Sequence, residues 1–247
     1  MADARIPVAT SQRALQSAAS SRATALRVWA VIPAYNEEAR IASVVRGIAG
    51  SVAGVVVVDD GSSDGTAREA ERAGAEVIRR PSNGGKGAAI RAGLAAALAH
   101  GCTHVLFIDG DGQHRPEEVP ALIGAAEEGA GLVVGERQFS RDQMPRSRYY
   151  ANVIGSRALS WFIGTEVRDT QSGFRLVGAD WLRSLPLTAT GYEIETEMLI
   201  RLARRGASIV RIPVAAVYAD APSKLRPLRD TTRTCFLAVK YRFLSRA

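Results

Sequence analysis

Cysteine is scarce in this chain: its 247 residues include two, Cys102 and Cys235. They stand far apart with neither metal nor redox spacing, which argues against disulfides and for a reducing compartment. No apolar run approaches the ~18–20 residues of a membrane-crossing helix. Val55 to Val58, for instance, stops at Asp59 and Asp60, so the chain is not expected to span a bilayer. Residues 1–25 carry a single acid, Asp3, among Ala, Ser and Arg, without the continuous apolar centre of a secretory signal. They read as a disordered tail, with an organelle transit peptide as the sharper alternative. No G-x-G-x-x-G follows the first apolar run, which counts against a dinucleotide dehydrogenase. The P-loop spacing ahead of Lys86, and the Ser or Thr after it, are missing. No helix-turn-helix, zinc-finger or aromatic RNA-binding signature accompanies the basic residues, so nucleic acid is not the expected partner.

With 47% hydrophobic and 23% charged side chains, the length suits one substantial core. The net charge of +7 is unevenly placed. Arg137, Arg141, Arg146, Arg148 and Arg157 crowd one segment, and Lys224, Arg226, Arg229, Arg233, Lys240, Arg242 and Arg246 crowd the C-terminus. Anionic lipid or a phosphorylated substrate fits such a surface.

From Val28 onward short apolar runs alternate with helical stretches, which predicts an α/β fold with a mostly parallel sheet. Strands are expected at Val28–Ile32, Val55–Val58, Ala75–Ile78, Val105–Ile108 and Leu132–Val134, and near 208–212. Helices are expected near 37–49, 64–73, 86–99, 116–128, 147–163 and 194–205. Asp64 and Asn83 have the chemistry of N-caps and Pro116 that of a first turn. The segment 169–173 reads as a loop. Three divisions follow: a tail at 1–25, a globular domain at 26–228 and a basic amphipathic helix at 229–247. That last segment either packs on the domain or lies on a membrane surface.

Polar motifs sit at the strand ends, where open α/β sheets collect ligands. Behind Val105–Ile108 comes Asp109-Gly110-Asp111-Gly112-Gln113-His114. Its alternating carboxylates and amide are hard oxygen ligands that Mg²⁺ or Mn²⁺ would accept together with a diphosphate, although the same letters also form solvated turns. Val31-Ile32-Pro33-Ala34-Tyr35-Asn36-Glu37-Glu38 ends a strand in a turn, and helix capping alone would explain Asn36, Glu37 and Glu38. Asp59 and Asp60 end another strand, where a carboxylate can hold a ribose hydroxyl or a base N–H. For Lys86 the expected role is a flexible lead-in to its helix, with nucleotide contact second. His100 and His104 read as structural or solvated, and His114 is balanced between that and a site role. Lys224 is balanced between a solvated surface lysine and one that closes over a diphosphate.

These runs, with Asn83-Gly84-Gly85-Lys86-Gly87, Gly135-Glu136-Arg137, Asp169 to Arg175 and Gly191 to Glu197, resemble glycosyltransferase family 2 over roughly residues 28–240. Within it they are most similar to the dolichyl-phosphate mannose synthases and bacterial polyprenyl-phosphate glycosyltransferases. The resemblance implies the GT-A fold and a donor nucleoside held by Pro33, Tyr35, Glu37 and Asp60, with Asp109 on the ribose and metal side. It implies a divalent ion, Mg²⁺ or Mn²⁺, on Asp111 and Gln113 beside Asp109. It also implies an acceptor phosphate facing Arg137 and Arg148, with Asn152 and Ser156 along the same helix and Arg146 as the fallback for Arg148. Asp111, Arg137 and Arg148 would be the catalytic set.

The implied reaction is metal-dependent, inverting transfer of a hexose from a nucleotide-diphosphate sugar, of GDP-mannose or UDP-glucose type, to a polyprenyl or dolichyl phosphate. Such an acceptor is already an anion and needs positioning more than a base. Arginine forks supply that. The expected location is cytoplasmic, with peripheral contact to the cytoplasmic membrane face or a membrane-protein partner. A soluble or glycan hydroxyl acceptor is the alternative. Glu193, Glu195 or Glu197 would then be the bases to test, against helix-surface or salt-bridge roles. A non-catalytic sugar-nucleotide-binding protein is the third reading.

Overall fold

The computed structural model describes residues 25–137 and 172–215. Among these residues seven strands form one sheet: β1 (Val28–Ala34), β2 (Gly54–Asp59), β3 (Glu76–Arg79), β4 (His104–Phe107), β5 (Leu132–Arg137), β6 (Arg175–Gly178) and β7 (Ile209–Val214). Their spatial order is β3-β2-β1-β4-β6-β5-β7. All neighbours pair in parallel except β6, which runs antiparallel to both β4 and β5. The connections β1 to β2 to β3 move one way from β1, and β4 lies on its other side. A crevice between β1 and β4 at the carboxyl ends follows from that reversal.

Among the described residues six helices cover the two faces: α1 (Ile41–Ala49), α2 (Thr66–Arg72), α3 (Lys86–Ala99), α4 (Val119–Glu127), α5 (Ala179–Arg183) and α6 (Ile194–Arg204). Alternation along the strands divides the core. Ala30, Ile32, Val57, Leu106, Ile108 and Val133 face α1 and α4 on one side. Val31, Val105, Phe107, Leu132 and Val177 face α3 and α6 on the other.

The expected α/β architecture stands, with two differences. Neither β6 nor α5 was anticipated. Leu176 and Val177 between Arg175 and Gly178 are too short a run to show a two-residue period, and the strand exists because β4 and β5 bond it from both sides. Secondly, α1 starts at Ile41, not near 37. Asn36 has φ +52° and its side chain accepts from Ser63 N–H at 2.9 Å, while its own N–H donates to Ser62 Oγ at 2.9 Å. The N–H groups of Glu37 and Glu38 donate to Thr66 Oγ1 and Asp64 Oδ2. These residues clasp the neighbouring loop, and none of their side chains caps α1. Asp64 and Asn83 each bond an N–H two residues ahead, at Thr66 and Gly85, so both act just upstream of their helices. Pro116 opens a single 3₁₀ turn, Pro116–Glu118, ahead of α4.

The expected helix near 147–163, the tail and the segment 229–247 lie outside the described residues, as do Arg141, Arg146, Arg148, Asn152, Ser156, Arg157, Asp169 to Gln171 and Lys224.

Close approach of α3 to the sheet depends on Gly93. A Cβ there would lie 2.5 Å from Val31 Cγ1 and 2.9 Å from Val58 Cγ2, and β-branched side chains have little freedom to yield. At Gly124 in α4, by contrast, a Cβ would meet nothing within 4 Å. Gly93→Ala should therefore cost about 1–3 kcal/mol in urea unfolding. Gly124→Ala should be neutral or gain up to about 1 kcal/mol from helix propensity.

Candidate functional site

The parallel strands deliver their polar termini to one edge, and β6 starts at that same edge because it runs the other way. Pro33 and Tyr35 follow from β1, with Tyr35 38% exposed. Gly110 brings the Asp109–Gln113 turn against Pro33: a Cβ on it would sit 3.4 Å from the Pro33 carbonyl oxygen. Asp60 is buried beyond β2 and takes N–H bonds from Gly84 at 3.1 Å and Gly85 at 2.9 Å, with Arg80 against the same carboxylate. It fastens the loop that leads into α3.

The first turn of α3 also lies under the Thr190 carbonyl, which accepts from Gly87 N–H at 2.8 Å. Cβ atoms on Gly85 and Gly87 would reach 2.4 Å from the carbonyls of Thr190 and Ala189. The donors that would cradle a phosphate in a P-loop are thus committed to protein, in line with the missing spacing.

Lys86 departs from expectation. Far from being a flexible lead-in, its ammonium lies 2.6 Å from Asp109 Oδ1 and 2.5 Å from Glu195 Oε1, with the Tyr192 ring 5.6 Å away. Burial disfavours the charged amine, but the two carboxylates outweigh it and hold the lysine pKa above its ordinary range. Burial likewise opposes ionisation of Asp109, yet Lys86, His114 and Arg137 keep its pKa below the usual carboxylate range. Burial raises Glu195, as does Asp109, with Lys86 and Arg175 opposing. The signal available in sequence was a lysine between glycines, which says nothing of its partners.

Asp111 titrates in the opposite sense to Asp109. Burial and the neighbouring Asp109 charge, with a further contribution from Glu37, push its pKa up to about 6. Its Oδ1 accepts from Gln113 N–H at 3.0 Å, an arrangement helped by Gly112 at φ +73°. Among the described residues no three or more His, Cys, Asp or Glu side chains are grouped so that they could hold a metal ion by themselves. The donor set nonetheless fits a hard divalent ion. Carboxylates that repel one another gain from a cation, and a diphosphate can complete the oxygen shell.

Arg137 ends β5 close enough to Asp109 to help hold it ionised. His114 is buried and its ring stacks on Phe174 with centroids 5.0 Å apart. His100 stacks on Trp29 and bonds Glu76 at 2.7 Å at the far edge of the sheet, and His104 opens β4 there. Glu193, Glu195 and Glu197 are 9%, 3% and 0% exposed, which overturns the helix-surface half of the expectation, while its salt-bridge half holds for Glu195 with Lys86 and for Glu197 with Arg201. Glu197 is spent on Thr188 N–H and Oγ1, Ala189 N–H and Arg201 Nε. It serves the loop ahead of α6, not a proton transfer.

The raised Asp111 pKa has a sign that can be checked. A carboxyl whose folded pKa exceeds its unfolded value favours folding at pH below about 4 and loses that contribution as pH rises to about 6. In chelator at pH 7, Asp111→Asn should thus be more stable than the parent by on the order of 1–2 kcal/mol. The gap should close by about pH 4, where both side chains are neutral. Mn²⁺ should raise the melting temperature of the parent and leave the variant unmoved.

Comparison with known proteins agrees with this geometry. A family model described as glycosyl transferase family 2 matches residues 29–184. The chain is 34% identical over 208 residues to an undecaprenyl-phosphate mannosyltransferase of Micrococcus luteus, covering 79% of this chain and 85% of that one. It is 29% identical to a polyprenol monophosphomannose synthase of Mycolicibacterium smegmatis, covering 85% and 84%. Among solved structures, glucosyl-3-phosphoglycerate synthase from Mycobacterium tuberculosis in complex with Mn²⁺ and uridine-diphosphate-glucose superposes with a TM-score of 0.69 at 28% identity, over 88% of this chain and 79% of that one. The seven-stranded sheet with its reversed β6, the acidic turn after β4 and these likenesses together establish the chain as a glycosyltransferase of family 2 with the GT-A fold.

Proposed function

We propose that this glycosyltransferase moves a hexose from a nucleotide-diphosphate sugar, of GDP-mannose or UDP-glucose type, to a polyprenyl or dolichyl phosphate, with inversion. The observation that carries the reading is Asp111, a partly buried carboxylate beside the ionised Asp109, at the edge that Arg137 also faces. Relatives named for undecaprenyl-phosphate and polyprenol mannosyl transfer support the acceptor class.

In this reading Asp111 and Gln113, with Asp109 beside them, would hold Mg²⁺ or Mn²⁺. The ion supplies Lewis-acid stabilisation of charge growing on the leaving diphosphate. Pro33, Tyr35, Glu37 and Asp60 bound the nucleoside end. Arg137, with Arg148, Asn152 and Ser156, orients the acceptor phosphate. An acceptor oxygen attacks the anomeric carbon, the bond from that carbon to the diphosphate oxygen breaks, and its electron pair leaves with the nucleotide. No base is required, because the attacking phosphate is already deprotonated. Among the described residues no helix is long and apolar enough to cross a membrane. The basic amphipathic segment 229–247, beyond a catalytic domain at 26–228, provides peripheral contact with anionic lipid at the cytoplasmic face, alone or with a membrane-protein partner.

Purified protein should transfer labelled hexose from one of these donors to a detergent-solubilised polyprenyl phosphate, and only with Mg²⁺ or Mn²⁺ present. Asp111→Ala should lower turnover by on the order of 1,000-fold with unchanged circular dichroism. Arg148→Ala should raise the acceptor KM more than the donor KM. Metal-independent transfer or full activity of the Asp111 variant would overturn the reading. Transfer confined to water-soluble hydroxyl acceptors would replace the acceptor and keep the reaction class.

A further inference from the structure

Among the described residues Arg175 is the largest wholly buried side chain, at 1% exposure. Such a cation is costly to bury unless its donors are satisfied, and its bonds show where it acts. Nε donates to the Ser172 carbonyl at 2.8 Å and Nη1 to the Glu195 carbonyl. One guanidinium therefore ties the loop ahead of β6 to the first turn of α6.

Both tied segments touch the charged cluster of the site. Loop residue Gly173 lies directly against Asp109: a Cβ there would come within 2.3–2.6 Å of the carboxylate atoms. The loop has a second anchor in Ser172 Oγ, which donates to the Gly135 carbonyl at 2.6 Å and accepts from Phe174 N–H at 3.3 Å. On the other side, the side chain of Glu195 meets Lys86, and Lys86 meets Asp109. The Arg175 charge is also felt by the Glu195 carboxyl.

We propose that Arg175 is a positioning residue for catalysis: by fixing the separation of the Gly173 loop and the α6 first turn, it sets the placement of Asp109, Lys86 and Glu195. It reaches no substrate itself. A planar fork can hold two carbonyls on different segments at once, whereas a lysine ammonium is a point donor on a flexible stem. Misplacement of a catalytic constellation by about an ångström costs on the order of 100-fold in rate, even from outside the site. This inference rests on the transferase reading above, and its first readout needs no substrate.

The test compares Arg175→Lys and Arg175→Gln with the parent, using the full chain. Lysine acylation followed by mass spectrometry reports the accessibility of Lys86, whose side chain is 12% exposed in the parent. In both variants Lys86 labelling should rise by about tenfold as the cluster opens locally. Turnover should fall by on the order of 10- to 100-fold, with the donor KM changing much less. Gly173→Ala, which leaves Arg175 intact and presses on Asp109, should raise Lys86 labelling as well and keeps the idea testable if the arginine variants do not fold. Folded arginine variants with parental labelling and turnover would reduce Arg175 to a packing residue, and parental Lys86 labelling in Gly173→Ala would deny the loop control of the cluster. An absence of transfer in the parent would instead strike the transferase reading and leave the labelling result standing.

Discussion

The site is organised around one buried ammonium. Lys86 stands between Asp109 from the end of β4 and Glu195 from α6. Without it, two carboxylates and Asp111 nearby would share a poorly solvated space. Buried ion pairs of this kind often fail to stabilise a fold, because desolvation consumes the attraction. Their use here is geometric. The lysine holds Asp109 ionised and ties α6 to the turn after β4, while Asp111 beside it has its pKa raised by burial and by the Asp109 charge.

The division of labour follows from the sheet. Residues on β1, β2 and β4 reach the shared edge by parallel strands joined through helices, so this end of the crevice is built from local units. The opposite end draws on β5, the start of β6 and the first turn of α6, which are distant in sequence and held together by Ser172, Arg175 and Glu197. Buried polar side chains there replace what short connections accomplish on the first side.

That contrast explains how much could be read in advance. The six strands other than β6, and the helices α1 to α4 and α6, show in the sequence because each has its own apolar run or period, as in Val55–Val58 or in the run ahead of Asp109. The acidic turn shows because its chemistry is local: two carboxylates two residues apart. Hidden were β6, whose four residues gain strand character from neighbours, and the partners of Lys86, which lie at positions 109 and 195. Long-range pairing leaves no periodic mark. Glu193, Glu195 and Glu197 mislead for a related reason, since acids in a first helical turn resemble ordinary surface acids until the burial of α6 is known.

The reversed direction of β6 has a consequence for how such a fold diversifies. Because β5 and β6 are antiparallel, the end of β5 at Arg137 and the start of β6 at Arg175 lie on the same rim of the crevice, so the connection between them is fixed to the sheet only at that rim. Its length and content can change without altering strand order or the register of any neighbour. Insertions between β5 and β6 can thus be taken up at this rim, while the opposing rim, set by β1, β2 and β4, keeps its geometry.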